Sequence, residues 1–175
     1  MDLQETLVHR LLAAHKSLFD IRENYQFKGH VFPGFAEFHS NGQQYVLVKR
    51  AKLWEVNSHE FVFIDAYDYL DESSLSKAID FMKEEAFQKV PHGPNHMATA
   101  ISLIIVANSV SDDAVKLVGK TRYRKSYLFS IHGWADFRLA VVDLSREKGR
   151  QVFTNPAGKR SKELLERNLE FSQKD

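Results

Sequence analysis

The sequence predicts an α/β fold in which a mixed β-sheet is flanked by helices. Apolar residues recur at three- and four-residue spacing in some segments and alternate in others, so helices and strands are interleaved along the chain. The segment MATAISLIIVAN, residues 97–108, is almost uniformly apolar, which is typical of a central strand buried on both faces. Because neither a linker nor a low-complexity segment interrupts the 175 residues, we predict one domain over residues 1–175.

Composition excludes several classes of protein. The formal charge is +1, far from the strong positive excess of dedicated nucleic-acid binders. The absence of cysteine rules out disulfides, thiolate metal sites and a cysteine nucleophile. No apolar run approaches the roughly 18 residues of a membrane span, and acidic residues occupy the start, where a signal peptide is basic. We therefore expect a cytoplasmic protein without a membrane partner.

The first half of the chain predicts one helix, three strands and a second helix. Leucines and valines from Leu3 to Phe19 make one apolar helical stripe, which should end within RENYQFKG, before Gly29. Residues 25–40 form a first strand, with a bend, bulge or edge position at Pro33-Gly34. An Asn41-Gly42 turn leads to a second strand at 44–56, and a third at 60–70 completes an antiparallel meander.

The second helix, residues 71–90, starts with acids and serines that suit a helix N-terminus. Its buried stripe consists of Leu75, Ile79, Met82 and Ala86. The passage from the third strand through this helix to the apolar strand fits a right-handed crossover.

The second half continues with a short capped helix at 109–120 and a hairpin of 125–131 with 134–144. A tight turn at His132-Gly133 is expected to join the two strands of the hairpin. A short strand at 151–155 and a charged helix at 158–171 close the chain.

The hairpin carries the first candidate site. Trp134, Asp136 and Arg138 alternate along one strand and therefore share a face. They can form a structural ion pair on a covered face, the reading we favour, or an open site in which Trp134 stacks and Arg138 binds an anion.

The segment KTRYRKSY, residues 120–127, is the densest basic patch. Arg122 and Arg124 alternate there with Tyr123, a pattern that can bind phosphates and stack bases. A solvent-exposed edge strand whose charges prevent aggregation has the same sequence pattern and is the more common case.

Two resemblances add to this reading. HMATAISLIIVAN, YRKSYLFSIHGWADFRLAVVDL and FTNPAGKR resemble an uncharacterised family of single-domain cytosolic proteins from clostridia-like bacteria, and this resemblance implies no activity. The order helix, three antiparallel strands, helix, parallel strand is similar to the core of PD-(D/E)XK nucleases of the Mrr-like kind, which implies a restriction-endonuclease-like fold. Those enzymes hold Mg²⁺ with an acid and an acid-x-lysine group.

The acidic and histidine residues are the candidates under the nuclease resemblance. Glu60, Asp65 and Lys49 are the catalytic candidates, although Leu47 stands where the acid two residues before Lys49 should be. Asp65, Asp68 and His96 are candidate metal ligands. Two of them have a structural alternative. Asp65 lies among aromatic residues, where burial raises a carboxyl pKa, or it pairs with Lys49 or Arg50. His96 lies in a proline-rich turn.

The leading hypothesis is a non-enzymatic binding module that uses the basic-aromatic hairpin, residues 120–138. Its partner would be an anionic ligand, such as nucleic acid, or another protein, and it would need no cofactor. It predicts that Arg122, Arg124 and Arg138 line one exposed cleft. The alternative is a divergent or inactive Mg²⁺-dependent nuclease, which needs two carboxylates converging beside a lysine. A third option is a homo-oligomer formed through Leu164, Leu165 and Leu169 of the last helix.

Overall fold

The computed structural model describes residues 2–39, 58–93, 96 and 98–173. This part of the chain forms an α/β domain with a mixed sheet flanked by helices, as predicted. The elements are α1 (Leu3–His15), β1 (Asp20–Phe27), β2 (His30–His39), β3 (Ser58–Leu70), α2 (Glu72–Glu84), β4 (Ala98–Val110), α3 (Asp112–Lys120), β5 (Arg124–Ser126), β6 (Trp134–Asp143), β7 (Val152–Thr154) and α4 (Lys162–Ser172), with short 3-10 helices over Ala86–Lys89 and Pro156–Ser161.

The seven described strands form one sheet in the order β1-β2-β3-β4-β6-β5, and β7 pairs with the later part of β6. The pairings β1–β2, β2–β3, β5–β6 and β6–β7 are antiparallel, whereas β3–β4 and β4–β6 are parallel. The uniformly apolar strand β4 therefore lies at the centre, as its composition predicted.

Each face of the sheet carries its own core. On one face, aromatic and aliphatic residues of the strands pack under α2 and α3, including Phe63, Leu103 and Phe137. On the other face, α1 and α4 cover smaller residues such as Val62 and Ala140. Because β6 places Phe137, Leu139 and Val141 in the first core and Ala140 and Val142 in the second, the predicted alternation of this strand is confirmed.

The first helix is shorter than predicted. It begins with a capping box between Asp2 and Glu5 and ends at His15, and the segment DIRENYQF is the edge strand β1. Helical spacing persists in the sequence to Phe19, but pairing with β2 satisfies the backbone of this segment. The ring of Tyr25 stacks on Phe35 at 4.1 Å between centroids, so tertiary pairing overrides local periodicity.

The irregularity predicted at Pro33-Gly34 is present. Phe32 and Phe35, three residues apart, both enter the same core, so the two-residue alternation of β2 breaks between them. A Cβ atom on Gly34 would lie 2.9 Å from the side chain of Leu12, and α1 therefore packs closely against the strand here. The predicted strand 44–56 and the Asn41-Gly42 turn lie outside the described residues.

Helices α2, α3 and α4 form in the predicted segments, and Ser111 caps α3. Helix α2 ends at Glu84, earlier than predicted, and Ala86 of its buried stripe lies in the 3-10 helix Ala86–Lys89. The last helix differs in what its leucines contact. Leu165 and Leu169 belong to the core beneath α1 and α4, and Leu164 is half-buried. Leu165 and Leu169 therefore pack within their own chain, and self-association through this helix stays a prediction.

The β5–β6 connection also differs from the prediction. A seven-residue loop, 127–133, replaces the tight turn expected at His132-Gly133, and β5 has three residues only. The chain reverses direction through left-handed residues that precede Gly133, and not through the His132-Gly133 pair alone.

Candidate functional site

Arg124 and Asp136 join the two strands of the β5–β6 hairpin. Arg124 Nε and Nη2 donate to the two carboxylate oxygens at 2.6 and 2.9 Å, the bidentate geometry that guanidinium groups favour. The hydrogen bond to Asp136 raises the pKa of Arg124 above its ordinary value, and the guanidinium carbon lies 5.7 Å from the ring centroid of Trp134. Asp136 therefore neutralises the charge of Arg124.

Arg138 forms a second ion pair on the same face of the sheet. Its Nη1 lies 3.3 Å from a carboxylate oxygen of Glu60, reached diagonally across β4. The two side chains keep 28% and 29% of their surface exposed. Arg138 is therefore a half-buried member of one ion pair, which does not match the open anion-binding role predicted for it.

The remaining two predicted binding residues face elsewhere. Arg122 Nη1 donates to the carbonyl oxygens of Gly119 and Lys120 at 3.3 and 3.2 Å, at the C-terminal end of α3. Tyr123 packs edge-on against Phe87, 4.8 Å between centroids, beside the α2 core. The six predicted residues share the hairpin region, but they do not line one continuous cleft.

The loop between β5 and β6, residues 127–133, has an unusual backbone. Leu128, Phe129 and Ser130 are consecutive left-handed residues with φ of 46°, 54° and 68°. This conformation costs roughly 1–2 kcal/mol per non-glycine residue in a left-handed turn. Hydrogen bonds such as Tyr127 N to Gly133 O, 3.0 Å, close the loop. Strain of this kind persists only where the surrounding contacts impose it, and it is enriched at functional sites.

Aromatic contacts anchor the base of the loop. The ring of Tyr127, 8% exposed, stacks on His92 at 4.7 Å with an interplanar angle of 8°, and burial raises its pKa. The Nδ1 atom of His96 hydrogen-bonds with the carbonyl oxygen of His132 at 2.7 Å. The loop therefore holds its shape from the base, which leaves its outer residues free to project.

Three apolar side chains project from the loop, and we call Leu128, Phe129 and Ile131 the apolar tip. Their side chains are 56%, 96% and 70% exposed. Such a contiguous exposed apolar group marks an interaction site on a globular protein. The sequence analysis missed this tip because the tight turn that it predicted left Leu128 and Phe129 within a strand.

Positive charge surrounds the apolar tip. Residues 114–135 contain five Lys or Arg residues and no Asp or Glu. Lys116 pairs with Asp113, and Arg124 pairs as described above. Lys120, Arg122 and Lys125 are exposed, and no acidic partner contacts them among the residues that the structure describes.

The acidic candidates are not brought together. Glu60 lies on the face covered by α1 and α4, paired with Arg138, whereas Asp65 points to the opposite face. Asp68 is exposed and accepts a hydrogen bond from Asn108 Nδ2 at 3.1 Å. Lys49 lies outside the described residues.

His96, the last candidate metal ligand, uses both ring nitrogens within the protein. Its Nε2 atom bonds with the hydroxyl of Thr99 at 2.8 Å, in addition to the bond from Nδ1 to the His132 carbonyl. Within residues 2–39, 58–93, 96 and 98–173, no group of three or more His, Asp or Glu side chains is placed to hold a metal ion.

Asp65 instead forms a buried polar cluster. Its Oδ2 lies 2.9 Å from Nε2 of His30, its Oδ1 accepts from the backbone N–H of Ala66 at 2.9 Å, and the Tyr67 hydroxyl also hydrogen-bonds with it. Burial raises the pKa of Asp65, which His30 partly offsets. Burial and the nearby Asp65 carboxylate raise the pKa of Tyr67 to about 12. The cluster borders a cavity of about 210 Å³ between β2, β3 and α2.

The raised pKa of Asp65 agrees with its predicted place among aromatic residues, but its partner was missed. Sequence reasoning offered Lys49 or Arg50, neither of which is described, and the structure brings in His30 from the start of β2. The predicted meander paired the strand at 60–70 with the strand at 44–56, whereas β2 pairs directly with β3, so the sequence pattern contained no signal for a partner on β2.

Fold and site together define an α/β fold with an anchored apolar-basic loop and a part-buried Asp-His pair. Residues 3–167 match a family described as a domain of unknown function, DUF8052, and the chain belongs to that family. No curated protein and no solved structure matches the chain. No helix in the described part of the chain has the length and apolar character needed to cross a membrane.

Proposed function

We propose that this domain is a non-enzymatic binding module that docks on an anionic partner through its β5–β6 hairpin. The observation that carries the proposal is the apolar tip, in which Phe129 is 96% exposed and stands close in sequence to Lys125 and Arg122. An exposed aromatic side chain beside cations that lack an acidic partner suits a binding partner whose surface is anionic and whose next layer is apolar.

A bilayer containing acidic lipids is the anionic partner that fits this combination best. Leu128, Phe129 and Ile131 can enter the boundary between headgroups and acyl chains, while the cations meet the lipid phosphates. Stacking on nucleic acid suits the site less, because Arg124 lies over the Trp134 ring. This proposal departs from the expectation of no membrane partner, which rested on the lack of a spanning segment, because peripheral docking needs none. Acidic lipids face the cytoplasm, in keeping with the cytoplasmic location expected from the sequence.

The test measures co-sedimentation with vesicles of phosphatidylcholine with and without phosphatidylserine, at two salt concentrations. We expect binding to the acidic vesicles only, and weaker binding at high salt. Phe129→Ser should remove most of the bound fraction. Lys125→Gln should weaken binding about fivefold, since one cation near an acidic surface is worth roughly 1 kcal/mol.

Matched controls separate the loop from general effects. Leu18→Ser removes an apolar side chain that is 62% exposed but distant in the sequence from the hairpin, and Lys16→Gln removes a surface cation, so neither should change binding. Equal binding to neutral vesicles, or equal losses in the control variants, would contradict the proposal. Tight binding to a single-stranded oligonucleotide that Phe129→Ser leaves intact would assign the site to nucleic acid instead.

The nuclease alternative gains no support from a specific observation. It requires two carboxylates beside a lysine, and Glu60 and Asp65 lie on opposite faces of the sheet. We therefore propose no Mg²⁺ site and no cofactor for the binding function.

A further inference from the structure

The cavity between β2, β3 and α2 has the character of a small-ligand site and is separate from the docking loop. At about 210 Å³ it is below the roughly 300–1,000 Å³ of pockets for drug-sized ligands. Phe32, Phe81 and Met82 give it apolar walls, and Asp65 and Lys77 contribute polar groups at its lining. Apolar walls with a few convergent polar groups and a perturbed carboxyl are typical of binding sites.

The Asp65 carboxylate is already occupied by the protein. His30, the backbone of Ala66 and the Tyr67 hydroxyl surround its two oxygens. A cationic ligand would have to compete with these groups for a carboxylate that burial already disfavours in its charged form. Asp65 is therefore suited to orienting His30 rather than to binding a ligand.

The groups left for a ligand are donors. Lys77, on α2, lines the cavity; it interacts electrostatically with Asp71 but forms no salt bridge within the described part of the chain. His30 uses Nε2 toward Asp65, and no described residue bonds with its Nδ1. The His30 tautomer that carries its hydrogen on Nδ1 can donate from that atom, so Lys77 and His30 together favour an anionic group.

We infer that this cavity binds a small carboxylate with an apolar body, such as an aromatic or branched aliphatic acid. The apolar body packs against the cavity walls formed by Phe32, Phe81 and Met82. The carboxylate of the ligand faces Lys77 and His30, and Asp65 keeps the His30 ring in place. This site does not depend on the docking function, because the hairpin contributes no residue to it.

The test uses benzoate as the probe, with benzyl alcohol and benzylamine as neutral and cationic counterparts. Titration of the full chain, followed by amide chemical shifts, should show saturable changes in β2, β3 and α2 for benzoate. Benzyl alcohol should bind at least about fivefold more weakly, because it lacks the charge that Lys77 meets. Preference for benzylamine, or the absence of saturable changes for benzoate, would overturn the inference.

Variants locate the site. Lys77→Gln should weaken benzoate binding about fivefold, whereas Lys83→Gln, on the same helix but outside the cavity lining, should leave it unchanged. Ala78→Phe should fill the cavity and abolish binding. If Ala78→Phe does not fold, the test is the comparison of benzoate binding by Lys77→Gln and Lys83→Gln. Equal effects of these two substitutions would overturn the inference.

Discussion

Arg124 and Asp136 stand directly opposite each other on β5 and β6, and two hydrogen bonds of 2.6 and 2.9 Å join their side chains. The acid of the predicted Trp134-Asp136-Arg138 row and a base of the predicted basic patch thus neutralise each other. The cations that remain for a partner are those without an acid beside them, above all Lys125 and Arg122.

Releasing Arg124 from this pair should strengthen docking. In Asp136→Asn the guanidinium keeps its charge and loses its counter-ion, so we expect about fivefold tighter binding to phosphatidylserine vesicles. Asp20→Asn makes the same change of net charge on β1, at the opposite edge of the sheet, and should have a smaller effect. Equal gains in the two variants would mean that net charge alone controls binding.

The buried side chain of Asn155, 1% exposed, should be essential for stability. Its four hydrogen bonds satisfy backbone groups of β6, of the α3 end and of the turn after β7: Leu139 N, Gly158 N, Phe137 O and Thr121 O. Asn155→Ala leaves these groups without that partner, and we expect the free energy of unfolding in urea to fall by about 3 kcal/mol or more.

A control for Asn155 comes from α4. Asn168 is half-buried and donates one hydrogen bond, to the Leu164 carbonyl oxygen at 2.8 Å. Asn168→Ala should lower the free energy of unfolding by about 1 kcal/mol or less. Similar losses at the two positions would show that the Asn155 network adds little to stability.

Two hydroxyl groups on β4 should respond to deletion in opposite ways. Ser102 Oγ is buried and has no hydrogen-bond partner among the described residues, so Ser102→Ala should leave stability unchanged or raise it by up to about 1 kcal/mol. Thr99 Oγ1 bonds with His96, so Thr99→Val should lower the free energy of unfolding. Thermal and urea unfolding of both variants measure the difference, and a large loss in Ser102→Ala would contradict the assignment.

The carboxyl of Asp65 should impose a specific pH dependence on stability. Because burial raises its pKa above its ordinary value of 3.8, the folded protein keeps this proton at pH values where the unfolded chain has lost it. The free energy of unfolding therefore falls as pH rises from 3.8 through the raised pKa. Asp65→Asn should remove this decline, so the variant gains stability relative to the wild type as pH rises through that window.

The helix cap Asp71 should make the free energy of unfolding change with pH in the opposite direction. Hydrogen bonds from Ser74 lower its pKa below its ordinary value of 3.8, so its contribution to stability is present above pH 3.8 and is lost as pH falls through the lowered pKa. Asp71→Asn should lose stability relative to the wild type above pH 3.8. If the Asp65 and Asp71 variants shifted in the same direction with pH, the assignment of Asp65 would be wrong.

Local patterns were sufficient for much of the fold. The stripe from Leu75 to Ala86 predicted α2 because helical spacing and burial coincide there, and the continuous apolar run of β4 predicted its central place. The same reasoning overextended the first helix, because pairing of β1 with β2 is a long-range interaction that periodicity does not contain. For the site, sequence spacing correctly predicted that Trp134, Asp136 and Arg138 share a face.

The sequence by itself determined the α/β class, the interleaved helices and strands, the two-faced pattern of β6 and the acid-free basic segment around the hairpin, because each depends on neighbours along the chain. Only the tertiary structure decided that Arg138 pairs with Glu60, that Asp65 meets His30, and that the apolar tip projects on a left-handed loop. These outcomes depend on strand order and register, which bring together groups up to 78 residues apart in the chain.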